Sequence, residues 1–142
     1  ATEDSMARLD PSDSDVITAY QAAGGNGNII IGERVQINSS CVLYSGNGIL
    51  IGDDVLIAAN CTLAPVNHEY KNRSKKISCQ GHASSKGGVI IEDNVWIGSN
   101  TVILDGSHIC SGTVIAAGSL VRGKCESNRV FGGNPLREIK KI

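Results

Sequence analysis

Aromatic side chains are scarce: one Phe, one Trp and three Tyr make up 4% of the 142 residues. A globular core normally uses more, because each ring buries a large apolar area. Yet 41% of the chain is hydrophobic, so a core must be thin and built from aliphatic residues. Charge of one sign is lacking too. A net charge of −1 and a pI near 6.3 give no reason to expect nucleic acid or an anionic membrane as partner. No apolar run is long enough to span a bilayer, and no signal-peptide pattern is visible. The five cysteines are an odd number without a CxxC or CxxH spacing, which argues against zinc and for a reducing, cytoplasmic setting. The expectation for resident metal is none. The length allows one domain, 1–142.

What is abundant is glycine, 17 residues, and a strict period. Ile91, Ile97, Ile103, Ile109, Ile115 and Val121 are each six residues apart. Four positions after them stand Val95, Thr101, Ser107, Thr113, Ser119 and Cys125, all small or β-branched. A helix repeats near 3.6 and a plain strand at 2; six is neither. It fits a three-sided solenoid whose flat sides are one hexapeptide long and whose aliphatic residue points inward. Neighbouring coils then stack at about 4.8 Å.

In chain order, 1–28 reads as a lead-in. Residues 1–15 are acidic and polar, with Met6 a candidate natural start. Residues 16–28 fit either an irregular first coil or a short capping helix. Regular coils are expected over 29–126, on Ile31, Ile37 and Leu43, then, after a two-residue expansion at Ser45–Gly48, on Ile51, Ile57 and Leu63. Gly32, Gly52 and Gly98 suit corners needing backbone freedom. Cys41, Cys61 and Cys125 fall in the small-residue slot, as buried hydrophobes. The polar, basic stretch 69–88 has no hexapeptide phase. It reads as an insertion leaving one face, either a binding loop or a tolerated surface loop. The tail 127–142 holds Gly133-Asn134-Pro135 and then a short amphipathic stretch, a helix or a strand.

The repeat, the insertion directly after Asn67-His68, the run Asp93-Asn94-Val95-Trp96-Ile97-Gly98 and the closing Gly133-Asn134-Pro135 together resemble one family. It is the hexapeptide-repeat acyltransferases, in the branch of galactoside, maltose and other sugar O-acetyltransferases. The resemblance covers about 29–142. It implies an all-β, left-handed parallel β-helix, a homotrimer, and acetyl-CoA as donor to a hydroxyl or amino group of a sugar or sugar-nucleotide, in surface polysaccharide biosynthesis. Handedness rests on the resemblance alone, since left-handed crossovers break the usual rule.

His68 is the candidate general base. Acyl transfer to a hydroxyl or amine needs a group that accepts the acceptor's proton, and imidazole suits that near neutral pH. The period puts it outward, at a corner where a neighbouring subunit could meet it. The resemblance assigns Asn38 to the acetyl carbon and acceptor, either orienting the acceptor or stabilising developing charge; otherwise Asn38 is a corner residue. It places Trp96, read as outward-facing, against donor or acceptor, and Ser99 and the small residues Ala117, Gly118 and Ser119 along the pantetheine arm. Arg137 and Lys140 match basic positions near the nucleotide phosphates. Asn67, Tyr70 and His82, which border or lie in the insertion, are candidates for substrate contact. His108 reads as structural or merely exposed. Transfer is expected to be direct, without an acyl-enzyme, since no cysteine has an evident His partner.

Two other readings compete with this one. A non-catalytic scaffold leaves the coincidence of His68, insertion and tail unexplained. A metalloenzyme resembling the γ-carbonic anhydrases needs three His ligands from two subunits, with a His-x4-His pair that this chain lacks.

Overall fold

A computed structural model describes residues 27–142, together with the backbone of Ile17–Tyr20. The acidic lead-in expected over 1–15 lies outside the described residues. Within 16–28, β1 (Ile17–Tyr20) is a strand, in parallel register with Cys41–Tyr44.

Four coils follow that each visit three sides. The first holds β2 (Ile29–Ile31), β3 (Gln36–Ile37) and β4 (Cys41–Tyr44); the second β5 (Ile49–Ile51), β6 (Leu56–Ile57) and β7 (Thr62–Ala64). After the insertion come β8 (Val89–Ile91), β9 (Trp96–Ile97) and β10 (Val102–Leu104). A further coil has β11 (Ser107–Ile109), β12 (Val114–Ile115) and β13 (Leu120–Val121). The chain ends with β14 (Lys124–Cys125), β15 (Arg129–Gly132) and β16 (Arg137–Lys141). Side I stacks β2, β5, β8, β11 and β14; side II stacks β3, β6, β9, β12 and β15, with β16 added; side III stacks β1, β4, β7, β10 and β13. All pairs are parallel except β15 with β16, which is antiparallel. Of the two readings of the tail, the amphipathic stretch is therefore a strand. Among the described residues no helix is long and apolar enough to cross a membrane.

The core is the period made physical. Ile51, Ile91 and Ile109 stack on side I, Ile57, Ile97 and Ile115 on side II, and Leu63, Ile103 and Val121 on side III, all buried. Burying each such side chain stabilises by about 1.5–3 kcal/mol, so the stack dominates folding. Thr101, Ser107, Thr113 and Ser119 fill the corner slot between rungs, buried, and their hydroxyls donate to nearby carbonyl oxygens. That explains why the slot accepts small hydroxyl residues: each satisfies its own polar atom.

Two expectations need correcting. Cys125 does not occupy the small slot. The last coil is shortened, so Cys125 pairs with Ile109 and Phe131 with Ile115, and Cys125 itself becomes the rung on side I. Nor do the corner glycines serve by backbone freedom. A Cβ on Gly32 would lie 2.3 Å from Asp53 Oδ1, and one on Gly98 would lie 2.5 Å from the Ala117 nitrogen. Close packing of one coil on the next excludes a side chain there. The left-handed conformations fall elsewhere, at Arg34, Asp54 and Asn94 on the I/II corner and at Ser40, Asn60, Asn100 and Gly118 on the II/III corner. Asn and Asp tolerate that region better than most residues.

Candidate active site

At the III/I corner, β7 ends at Ala64 and the buried Pro65 leads the chain outward. His68 is exposed there, at the neck of the insertion. The neck is closed by backbone bonds on both sides: the Glu69 N–H donates to the Gly81 oxygen at 2.9 Å and the Ala83 N–H to the Asn67 oxygen at 2.8 Å. His68 and His82 face each other across this antiparallel bridge, with ring centroids 4.9 Å apart and planes at 26°. So His82 reaches the imidazole itself, while Tyr70 stands outward, 65% exposed, and Asn67 is half-buried.

The insertion is an ordered loop. Gln80 ties it from within: its side-chain amide donates to the Asn72 and Lys75 oxygens, and its Oε1 accepts from the Asn72 N–H. A short 3-10 turn spans Ile77–Cys79. The return end is clasped by Asp105, on the coil above and 4% exposed. Its carboxylate accepts from the Lys86 N–H and the Gly88 N–H, each at 2.8 Å, and from Asn47 Nδ2 at 3.2 Å. The sequence reading missed this clasp. An Asp in place of a neutral turn residue just before Gly106 was the available signal.

The second group lies at the II/III corner. Backbone bonds stack Asn38 on Ala58, Gly98 and Ala116 through the neighbouring rungs. Asn38 is exposed, and its Nδ2 donates to the Ile57 oxygen at 2.8 Å. One amide hydrogen is thus committed, and Oδ1 remains as an acceptor for a hydroxyl or amine. Ser99, Ala117 and Gly118 continue the same edge, with Gly118 N–H donating to the Ser99 oxygen. Ala117 and Gly118 are exposed and small, leaving an unobstructed strip. Ser119 differs from expectation. It is buried, and its Oγ donates to the Ala116 oxygen and accepts from the Gly133 N–H, so its side chain does not line that strip. Trp96 is 53% exposed on the outer face of side II, between Leu56 and Val114 in register. Arg137 and Lys140 are exposed on β16, beyond the same side.

Within one chain, then, the predicted residues form two groups on two corners. His68, His82, Asn67 and Tyr70 gather at III/I. Asn38, Ser99, Ala117 and Gly118 gather at II/III, with Trp96, Arg137 and Lys140 beside them on side II.

A third constellation was unforeseen. Glu92, His108 and Cys110 bring their ligand-type atoms within 4.8 Å of one another at the I/II corner. Glu92 accepts from the Ser111 N–H and Oγ, and meets His108 Nε2 at 2.5 Å. These bonds, that to His108 first, hold the Glu92 carboxyl below the usual range, so the arrangement is explained as a hydrogen-bonded Glu–His pair. Glu92 stands where Gly32 and Gly52 stand in the coils below, and that substitution was its sequence signal. Cys110 does have a histidine nearby, contrary to expectation, yet burial and the Glu92 charge push its thiol up, away from the thiolate that nucleophilic attack requires. A groove on side I between Ile30, Leu50, Ile90, Asp53 and Glu92 contains none of the predicted residues.

Comparison with known proteins agrees with the hexapeptide-repeat fold. The family model "Bacterial transferase hexapeptide (six repeats)" matches 88–123, and "Hexapeptide repeat of succinyl-transferase" matches 28–65. The galactoside O-acetyltransferase of Escherichia coli K12 is 37% identical over 81% of this chain and 55% of its own length. WbbJ of the same strain, named for lipopolysaccharide-biosynthesis O-acetyl transfer, is 33% identical over 84% of this chain and 63% of its own. A hexapeptide-repeat acetyltransferase from Vibrio cholerae, solved with acetyl-CoA, superposes with a TM-score of 0.68 at 26% identity, over 89% of this chain and 70% of that one. A relative of another activity, the mitochondrial γ-carbonic anhydrase 2 of Arabidopsis thaliana, is 31% identical over 92% of this chain and 49% of its own length. The chain thus spans little more than half the length of the curated relatives it matches.

Proposed function

The chain belongs to the bacterial hexapeptide-repeat transferases, a left-handed parallel β-helix family, and on that premise we propose that it carries an acetyl group from acetyl-CoA to a sugar or sugar-nucleotide. The observation that carries the reading is His68: an exposed imidazole at the neck of an ordered insertion, steadied by a stacked partner. In the proposed reaction its neutral nitrogen takes the proton of an acceptor hydroxyl or amine as that atom attacks the thioester carbonyl. The tetrahedral intermediate collapses and expels CoA as thiolate, which receives the proton back from the imidazolium. Asn38 Oδ1 orients the acceptor. The strip of Ser99, Ala117 and Gly118 takes the pantetheine arm, with Trp96 alongside and Arg137 and Lys140 toward the phosphates.

The two groups of residues sit on different corners of one chain. A homotrimer in which one protomer's III/I corner meets its partner's II/III corner would unite base and donor, and we include that assembly in the reading. Direct transfer suits the thiols: Cys79 alone is exposed, and the other four are buried. The relatives' names make a surface polysaccharide or its precursor the favoured destination, and a cytoplasmic setting fits the use of CoA.

The test is thiol release from acetyl-CoA over a panel of hexoses, amino sugars and nucleotide sugars. Turnover that depends on His68 is expected; no release with any acceptor, from a chain shown to bind CoA, would refute the proposal. The carbonic-anhydrase relative makes metal content a useful control. In this chain His68 and His82 stack on each other and His108 is held by Glu92, so no three imidazoles converge within a protomer. Stoichiometric zinc retained after dialysis would favour the rival.

A further inference from the structure

The insertion carries four cations in six residues, Lys71, Arg73, Lys75 and Lys76, on a chain whose overall charge is slightly negative. Its nearest acid is Glu69, and that carboxylate is already occupied. It accepts from the Lys71 and Tyr70 N–H groups, which, with the Lys71 charge, hold it below the usual carboxylate range. Arg73, Lys75 and Lys76 are exposed and make no ion pair among the described residues. Nor is the segment a loose tether. Gln80 pins the backbone at Asn72 and Lys75, and the Lys75 N–H donates to the Asn72 oxygen. The neck below it is the bridge on which His68 and His82 stack.

A fixed cluster of unpaired cations creates a local positive potential, which raises the local concentration of anions and holds them by charge-assisted hydrogen bonds. This cluster lies in the same insertion whose neck presents the candidate base. We propose that the acceptor is anionic, a sugar bearing a phosphate or a carboxylate, and that Arg73, Lys75 and Lys76 bind that group while His68 takes the proton from the reacting hydroxyl or amine. The inference rests on the acyl-transfer reading above and names the acceptor class for the same site. The donor's own phosphates are the competing anion. They are assigned to the opposite strip because Arg137 and Lys140 lie beyond side II, and the experiment separates the two.

The full-length chain and its Arg73→Gln/Lys75→Gln/Lys76→Gln variant would be assayed by thiol release with three acceptors: a neutral hexosamine, a nucleoside-diphosphate hexosamine and a uronic or sialic acid. All three substituted side chains are exposed, so the fold is retained, and circular dichroism checks it. The wild type should prefer an anionic acceptor by about tenfold or more in kcat/KM at low salt, a preference that shrinks as added salt screens the charges. Whether phosphate or carboxylate wins identifies the anion. In the variant the preference should disappear through acceptor KM, with kcat and the KM for acetyl-CoA little changed. Equal kcat/KM for neutral and anionic acceptors would overturn the inference while leaving acyl transfer standing. A rise confined to the KM for acetyl-CoA would also overturn it, by moving the cations to the donor. If no acceptor turns over, acyl transfer fails, and calorimetric titration of the nucleoside-diphosphate sugar and of the acidic sugar still decides the binding claim: weaker binding to the variant supports it, and equal or absent binding to both proteins removes it.

Discussion

Removing the Asp105 carboxylate should unfasten the insertion and weaken the whole coil. Asp105→Ala leaves three donors without their acceptor: the Gly88 N–H, the Lys86 N–H and Asn47 Nδ2. The Gly88 N–H is buried, so its desolvation is uncompensated, at about 1–3 kcal/mol. Lys86 and Asn47 lie nearer solvent and can rehydrate, so each loses only a net bond of about 0.5–1 kcal/mol. The expected loss is therefore about 2–5 kcal/mol. For a chain of this size that lowers Tm by roughly 6–15 °C. Urea unfolding followed by circular dichroism, at fixed protein concentration, should show a lower midpoint with an unchanged slope. Asp105→Asn keeps one carbonyl oxygen and should fall between. Because Lys86 and Gly88 end the segment that carries His82, thiol release should drop as well. A loss under about 1 kcal/mol would mean that these donors find water at little cost, and the clasp would then be incidental.

His68→Ala should lower thiol release by about 100-fold or more, the usual worth of a general base, and His82→Ala by a smaller factor that His82→Phe restores, because the ring and not its charge steadies His68; steady-state kinetics on both would check this. Ile97→Ala, at a rung with no exposed surface, should destabilise by about 2–5 kcal/mol in chemical denaturation. Glu92 has a folded pKa below its ordinary value, owing first to His108 and then to Ser111. Its contribution is therefore complete above the ordinary carboxylate range and fades as pH falls through the depressed value. Denaturation of Glu92→Gln across pH 3 to 6 should show a shallower acid dependence than wild type, and parallel curves would remove that assignment. Titration with a thiol reagent should modify Cys79 quickly in the native protein and the other four cysteines only after unfolding, since they are buried and burial pushes the Cys125 thiol up to about 12; two fast thiols would contradict the packing.

The aliphatic ladder was plain in the sequence because a solenoid repeats its environment, so each rung independently demands the same kind of residue. Ile97, Ile103 and Ile109 are thus assignable to the core from the sequence alone, and all three are buried. The six-residue period failed where it slipped. Two residues are lost after Val121, and periodicity read locally gave Cys125 the wrong slot, because only register against Ile109 fixes it. Glycine at 32 and 98 was located correctly but for the wrong cause: proximity of a stacked coil is a tertiary property, whereas sequence suggests only backbone freedom. Of the site, His68 was marked by the break in period beside it. The stack with His82 was hidden, since the two lie 14 positions apart and only the folded neck joins them. Ser119 shows the converse, for a position that matches by spacing turned its hydroxyl inward.

Parallel coils carry an inherent hazard, because the last rung offers its unpaired backbone to any further strand, including one from another molecule. On side II, β16 meets this by reversing direction: it pairs antiparallel with β15 and presents Arg137, Lys140 and Lys141 outward. A reversed strand offers the wrong polarity for continuing the parallel stack, and like charges on a terminal edge repel a second copy of themselves. On side II, then, the reversed strand disfavours a further parallel rung from a second copy, whatever its part in catalysis.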